Sequence, residues 1–288
     1  MAEITGHTKT TCLIGKPTEH SLSPTMHNLS YQHLGIDAVY TCFDVEPENL
    51  AAVVEGFKGM EGLVGCNVTM PHNRAIIPLL DGISDSVELI DSVNVVEFKD
   101  GKAYGHNSDG IGFMTNLRAH GVEVEGATIT LLGPGGAGSA IFAQAALDGV
   151  AKIHLFARAQ GKSHKTAEEM IPRVVAKTGC EVILHDLEDE EALKTAIEDS
   201  SILINATNVG MGEGNTDTPI PTDLIRPGIV VADAIYFPRE TQFLADARAK
   251  GNLAINGLGM LLYQAAVSEE IWFGAQMPVD LIEEKVFS

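Results

Sequence analysis

The stretch Ile129-Thr130-Leu131-Leu132-Gly133-Pro134-Gly135-Gly136-Ala137-Gly138-Ser139-Ala140 constrains the fold more than any other part of the chain. An apolar, β-favouring run stops at a glycine cluster, and a helix-compatible run over 140–147 follows at once. This reads as strand, tight turn and helix, and Gly133, Gly135 and Gly138 fit the G-x-G-x-x-G spacing in that setting. The first glycine permits the turn, the second lets the backbone approach a pyrophosphate, and the third lets the helix pack close to the strand. The N–H groups and positive end of the helix then face the phosphates. The bland alternative is a glycine-rich turn in an α/β domain that holds no ligand.

The segments after this turn repeat the alternation. Residues 152–157, 181–185, 202–205 and 230–236 read as strands, and 166–177, 187–199 and 241–250 as helices. Strands separated by helices argue a parallel, doubly wound sheet. The strand over 152–157 runs into Arg158-Ala159-Gln160, with no acid to hold a ribose 2′-hydroxyl. Arg158 is suited to a 2′-phosphate or to stacking on an adenine ring. Ala159 offers no second basic group, so NAD and NADP both stay open.

The first half of the chain is a different α/β unit. Residues 11–15, 38–45, 62–70 and 91–98 read as strands, and Asp100-Gly101 as a hairpin turn. Ser23 and Pro24 read as N-cap and first residue of a helix. Asn67 and Thr69 close a strand before a helix start opened by Pro71, and Asn107-Ser108-Asp109-Gly110 enters another helix. Near the end, Gly257-Leu258-Gly259-Met260-Leu261 begins a helix that also carries Gln264.

Bulk properties exclude several classes. With 288 residues, 45% of them hydrophobic, the chain can build one large domain or two modest ones. A formal net charge of −20 disfavours nucleic acid and anionic lipid as partners. Cys12, Cys42, Cys66 and Cys180 form no C-x-x-C pair, so neither a metal nor a redox motif is expected, and free thiols in a reducing cytoplasm are the simplest reading. No signal peptide and no membrane span is visible. The oligomeric state is not readable, and a homodimer stays open.

Taken in order, these motifs resemble the shikimate dehydrogenase family, in particular its quinate/shikimate branch. Ser21-Leu22-Ser23-Pro24 is similar to the family's S-x-S-P element, Asn67-Val68-Thr69-Met70-Pro71 to N-V-T-x-P, Asn94 to the asparagine of its V-N motif, and Asn107-Ser108-Asp109-Gly110 to N-[TS]-D-G. The Gly133–Ala137 turn resembles G-x-G-G-A, and Asn205-Ala206-Thr207, Tyr236-Phe237-Pro238 and the Gly257 segment complete the series. The resemblance implies an N-terminal α/β substrate domain (1–112), a Rossmann NAD(P) domain (113–256) and C-terminal helices (257–288) that return to the first domain. It implies hydride transfer between a nicotinamide, NAD or NADP, and the C3 position of shikimate or 3-dehydroshikimate, with quinate as the other candidate. It assigns Ser21, Ser23, Thr69, Asn94, Asp109 and Gln264 to the substrate. Gly133, Gly135, Gly136, Ala137, Arg158, Thr207, Asn208, Tyr236, Gly257 and Met260 go to the cofactor.

One position departs from the family. Two residues after the proline of N-V-T-x-P the family carries a lysine that pairs with the aspartate of N-[TS]-D-G and handles the proton. Here Asn73 stands there, while Asp109 is kept. An amide is no general acid near neutral pH and carries no charge, although it can donate a hydrogen bond to a substrate hydroxyl. A loss of about two to four orders of magnitude in turnover is expected. Arg74 is no substitute, because it does not release a proton at physiological pH. The other readings are an altered mechanism using Asp109 and water, a non-catalytic sensor of shikimate or cofactor, and another two-domain nicotinamide dehydrogenase.

Overall fold

Both halves of the chain build a six-stranded sheet, and each sheet belongs to its own unit. The computed structural model describes residues 4–287. The first unit takes the chain as far as Ser108 and again from Leu262 onward; the second is Asp109–Leu261.

The first unit contains β1 (Lys9–Gly15), α1 (Ser23–Leu34), β2 (Ala38–Asp44), α2 (Leu50–Lys58), β3 (Leu63–Val68), β4 (Gly82–Ile83), α3 (Asp85–Ile90), β5 (Val95–Lys99) and β6 (Lys102–His106). The sheet order is β2-β1-β3-β5-β6-β4, with β2 and β3 parallel to β1 and β5 antiparallel to β3 and β6. Asp100 and Gly101 close the β5–β6 hairpin, both at positive φ (52° and 73°), which suits the right-handed twist of the strands. Alternation along β1 sends Cys12 and Ile14 into one apolar layer with Val54, Cys66 and Val96. Leu13 goes into the opposite layer with Tyr31, Tyr40, Val95 and Trp272.

The second unit contains α4 (Asp109–Ala119), β7 (Thr128–Leu132), α5 (Gly136–Leu147), β8 (Lys152–Ala157), α6 (Lys162–Thr178), β9 (Glu181–Asp186), α7 (Glu190–Asp199), β10 (Ile202–Asn205), β11 (Val230–Asp233), α8 (Gln242–Ala249) and β12 (Ala254–Ile255). Its sheet is parallel throughout in the order β12-β11-β10-β7-β8-β9. Read from β9, this is the doubly wound order 3-2-1-4-5-6, and the chain reverses direction across the sheet between β7 and β10. In such sheets the ligand crevice lies at the carboxyl ends of those two strands. α9 (Leu258–Phe273) starts in this unit and continues into the first, where α10 (Val279–Val286) follows.

Several local expectations are corrected. No α-helix follows Pro71; residues 70–76 are turns that lead into a single 3₁₀ turn, Ile77–Leu79. Ser23 is not the N-cap of α1: Leu22 holds that place, and the Ser21 hydroxyl accepts the Ser23 N–H at 3.2 Å. α6 begins four residues early and runs through Pro172. The units divide after Ser108 and after Leu261 rather than after 112 and 256. Close packing accounts for this. A Cβ on Gly110 would lie 2.3 Å from the Ala140 carbonyl of α5, and one on Gly259 would lie 2.0 Å from Asn116 Oδ1 of α4.

Candidate active site

In the second unit the glycine turn has the form its spacing predicts. Gly133 lies at φ +86°, and its N–H donates to the Phe156 carbonyl of β8 at 2.9 Å. A Cβ there would sit 2.6 Å from Thr207 Cγ2, so the turn after β7 and the loop after β10 are in contact at the switch point. A Cβ on Gly138 would lie 2.0 Å from the Gly133 carbonyl oxygen, so only glycine lets α5 start this close to its strand. Gly135 and Gly136 behave differently: both are exposed, and a Cβ on either would meet no protein atom within 4 Å. The start of α5 has no side-chain cap. Its first N–H groups and the space above them are therefore a cradle of the kind that receives a diphosphate.

The other cofactor candidates follow the ends of neighbouring strands in the same unit. Arg158 follows β8, is exposed, and makes no ion pair among the described residues. Ala159 N–H donates to Asp186 Oδ1 at the end of β9. Thr207 N–H and Oγ–H both donate to Asn205 Oδ1, at 3.0 and 2.7 Å, and Asn208 lies exposed beyond them. Tyr236 is exposed after β11, Gly257 N–H donates to the Ile235 carbonyl, and Met260 is buried in the first turn of α9.

Asp233, absent from the sequence-based candidates, holds these loops. It is fully buried; its Oδ1 accepts from Asn205 Nδ2 and Ile235 N–H, and its Oδ2 from the Thr241 hydroxyl that caps α8. Burial outweighs the three donors and pushes its pKa up to about 6. An aspartate ending an apolar strand was the available signal.

The first unit gathers its polar candidates at one edge of its sheet. Thr69 N–H donates to the Ile14 carbonyl, Val68 N–H to the Asn94 carbonyl, and Asn94 N–H to the His106 carbonyl, which brings the ends of β1, β3 and β6 and the start of β5 together. Thr69 is half-buried at this edge. Asn94 Nδ2 donates to Ser108 Oγ at 3.0 Å, and Ser108 N–H donates to Asn94 Oδ1 at 2.8 Å. The Ser108 hydroxyl lies 3.5 Å from Gln264 Oε1. Ser108 and Asn67 do more here than their motifs announced. Asn67 accepts the Tyr40 phenol proton at 2.8 Å and donates to the Asn94 carbonyl and to Ser268 Oγ, tying β2, β5 and α9 together. Asp109 opens α4 in the second unit.

Asn73 differs from its expected behaviour. Its Nδ2 donates to the Val68 carbonyl at 2.8 Å and to the Val93 carbonyl at 2.9 Å. Both partners can only accept, so the orientation of the amide is set by chemistry and its two protons are spent. The residue is half-buried, and its side-chain bonds to the described residues are those two from Nδ2. Position 73 thus offers an acceptor, not the donor expected from sequence. Arg74 is turned to Asp91, with Nε 3.2 Å from its carbonyl oxygen and Nη2 3.5 Å from its carboxylate.

Comparisons with known proteins show the family of the chain. A family model described as the shikimate dehydrogenase substrate binding domain matches residues 13–96, and one described as the shikimate 5′-dehydrogenase C-terminal domain matches residues 257–287. A shikimate dehydrogenase (NADP(+)) of Listeria monocytogenes serotype 4b (strain F2365) is 44% identical over 285 residues, which is 99% of this chain and 97% of that protein. The chain belongs to the shikimate dehydrogenase family. The shikimate 5-dehydrogenase from Listeria monocytogenes, solved in complex with shikimate and NAD, superposes with a TM-score of 0.96 at 43% identity, covering 100% of this chain and 99% of the other. The ligand-free 5-ketofructose reductase of Gluconobacter sp. strain CHM43 superposes at 0.87 with 33% identity, covering 97% and 98%. As a shikimate dehydrogenase family member, the chain has the α/β fold with a Rossmann-type parallel sheet that this family uses.

Proposed function

We propose that this chain is an NADP(H)-linked dehydrogenase of shikimate whose substrate site is retained and whose proton transfer is weakened at position 73. The observation that carries the reading is the full-length likeness to the Listeria enzyme solved with shikimate and NAD. Ser21, Ser23, Thr69, Asn94 and Gln264 supply the several hydrogen-bond partners that a polyhydroxylated carboxylic acid needs. The cradle at Gly135 and Gly136 receives the diphosphate, Thr207, Asn208, Tyr236, Gly257 and Met260 flank the rest of the cofactor, and the exposed Arg158 favours a 2′-phosphate. The name of the Listeria relative, an NADP(+) enzyme, supports the same choice. A bound nicotinamide supplies or accepts the hydride.

The remaining chemistry is a proton at the C3 oxygen. A carbonyl oxygen being reduced gains negative charge and asks for a donor, ideally an acidic one. Asn73 presents an acceptor there, which suits a hydroxyl and opposes a ketone. Shikimate is therefore held better than 3-dehydroshikimate, and Asp109 with water is left to move the proton.

The test is calorimetric binding of both acids, with initial rates for shikimate, quinate and 5-ketofructose using NADP(H) and NAD(H). Binding of shikimate in preference to its ketone, with slow NADP-linked oxidation, is expected. Fast reduction of 5-ketofructose with no shikimate binding would replace the substrate assignment.

A further inference from the structure

His27, Ser30 and Glu269 form a polar cluster from which water is wholly excluded, each residue being 0% exposed. His27 and Ser30 lie one turn apart on α1, and Glu269 lies on α9, 242 positions from His27. His27 Nδ1 is 2.8 Å from Glu269 Oε1, and the Ser30 hydroxyl donates to Oε2 at 2.5 Å. The imidazole stacks on Tyr40 with 4.5 Å between ring centroids and lies 5.6 Å from Trp272. The Tyr40 phenol donates to Asn67, which in turn donates to Ser268, the neighbour of Glu269.

Burying a carboxylate is costly, and an apolar cluster of equal volume holds two helices together at least as well. What the carboxylate adds is direction. Apolar side chains let one helix slide or roll over another at little cost. Two hydrogen bonds from one turn of α1 to the two oxygens of a single carboxylate fix both the shift and the rotation. The groups whose spacing this sets stand on, or just before, the same helices: Ser21 and Ser23 at the start of α1, and Gln264 five residues before Glu269 on α9.

We propose that Glu269 is a positioning residue. Through His27 and Ser30 it sets the register of α1 against α9, hence the spacing of Ser21 and Ser23 from Gln264, and so governs affinity for the polyhydroxylated substrate without touching the hydride step. This rests on the functional reading above.

Glu269→Leu keeps the approximate volume and removes both bonds; Glu269→Gln keeps an acceptor for Ser30 and a donor for a neutral His27. The leucine variant is expected to raise the KM and Kd for shikimate about tenfold or more, the worth of one or two substrate hydrogen bonds, with kcat and cofactor affinity within about threefold of the parent. The glutamine variant is expected to restore the KM to within about threefold. A folded leucine variant with the parent KM, or one that loses kcat at an unchanged KM, overturns the proposal. If the leucine variant does not fold, Ser30→Ala decides: it removes one bond and leaves the carboxylate paired with His27. A rise in Kd supports the proposal and an unchanged Kd overturns it. A parent protein that neither binds nor oxidises shikimate overturns the functional reading itself, and the positioning role with it.

Discussion

Replacing Asn73 with lysine restores an acidic donor where the structure offers only an acceptor. The amide makes two hydrogen bonds, to the carbonyls of Val68 and Val93 at 2.8 and 2.9 Å. Each is worth about 1 kcal/mol net, so the substitution costs about 2 kcal/mol of stability if the ammonium replaces neither. A positioned general acid–base contributes about 10²- to 10⁴-fold, or roughly 2.7–5.4 kcal/mol off the barrier. Asn73→Lys is therefore expected to melt a few degrees lower and to oxidise shikimate about 10²- to 10⁴-fold faster, with little change in shikimate affinity and tighter binding of 3-dehydroshikimate. Initial rates with NADP⁺, beside thermal melts and calorimetry of both acids, measure all of these. A variant that binds shikimate and turns it over no faster than the parent would refute the role given to position 73.

Other outcomes follow from the cofactor unit. Gly138→Ala places a methyl 2.0 Å from the Gly133 carbonyl oxygen, so about 1–3 kcal/mol of stability is lost and NADPH affinity falls, as fluorescence titration will measure. Arg158→Ala is expected to weaken NADP⁺ binding about tenfold or more while sparing NAD⁺; an equal loss for both would place the arginine on the adenine instead. Asp233 has its pKa raised to about 6 by burial, against about 3.9 in an unfolded chain. The folded state therefore holds a proton that the unfolded state has released. The resulting stability, about 3 kcal/mol, is present in full below about pH 4 and is lost as pH rises through 6. Urea titrations should show Asp233→Asn flattening that fall between about pH 4 and 6.

The cofactor unit was legible because its signals are local. Gly133 with its positive φ, the close approach at Gly138 and the alternation of strand and helix all lie within one stretch of chain, and the parallel, doubly wound sheet follows from them. The first unit was legible as motifs but not as bonds. The state of Asn73 depends on the carbonyls of Val68 and Val93, brought together only when β5 pairs antiparallel with β3. The turn after Pro71 replaced the expected helix because the Asn73 carbonyl accepts from Val93 N–H, while Ile77 N–H donates to the Arg74 carbonyl in a tighter turn and Pro78 has no N–H to donate. The Glu269 cluster joins residues 242 positions apart, and Asp233 acts through Thr241 and Asn205; neither spacing has a periodicity to read.

A calorimetric titration of shikimate into the parent protein saturated with NADP⁺, with the rate of NADPH formation followed on the same sample, separates binding from proton transfer. Saturable binding accompanied by slow turnover is predicted, since the hydroxyl-bearing groups are in place and the acidic donor is not. Absence of binding would contradict the substrate assignment, and turnover as fast as that of Asn73→Lys would contradict the claim that position 73 limits the proton step.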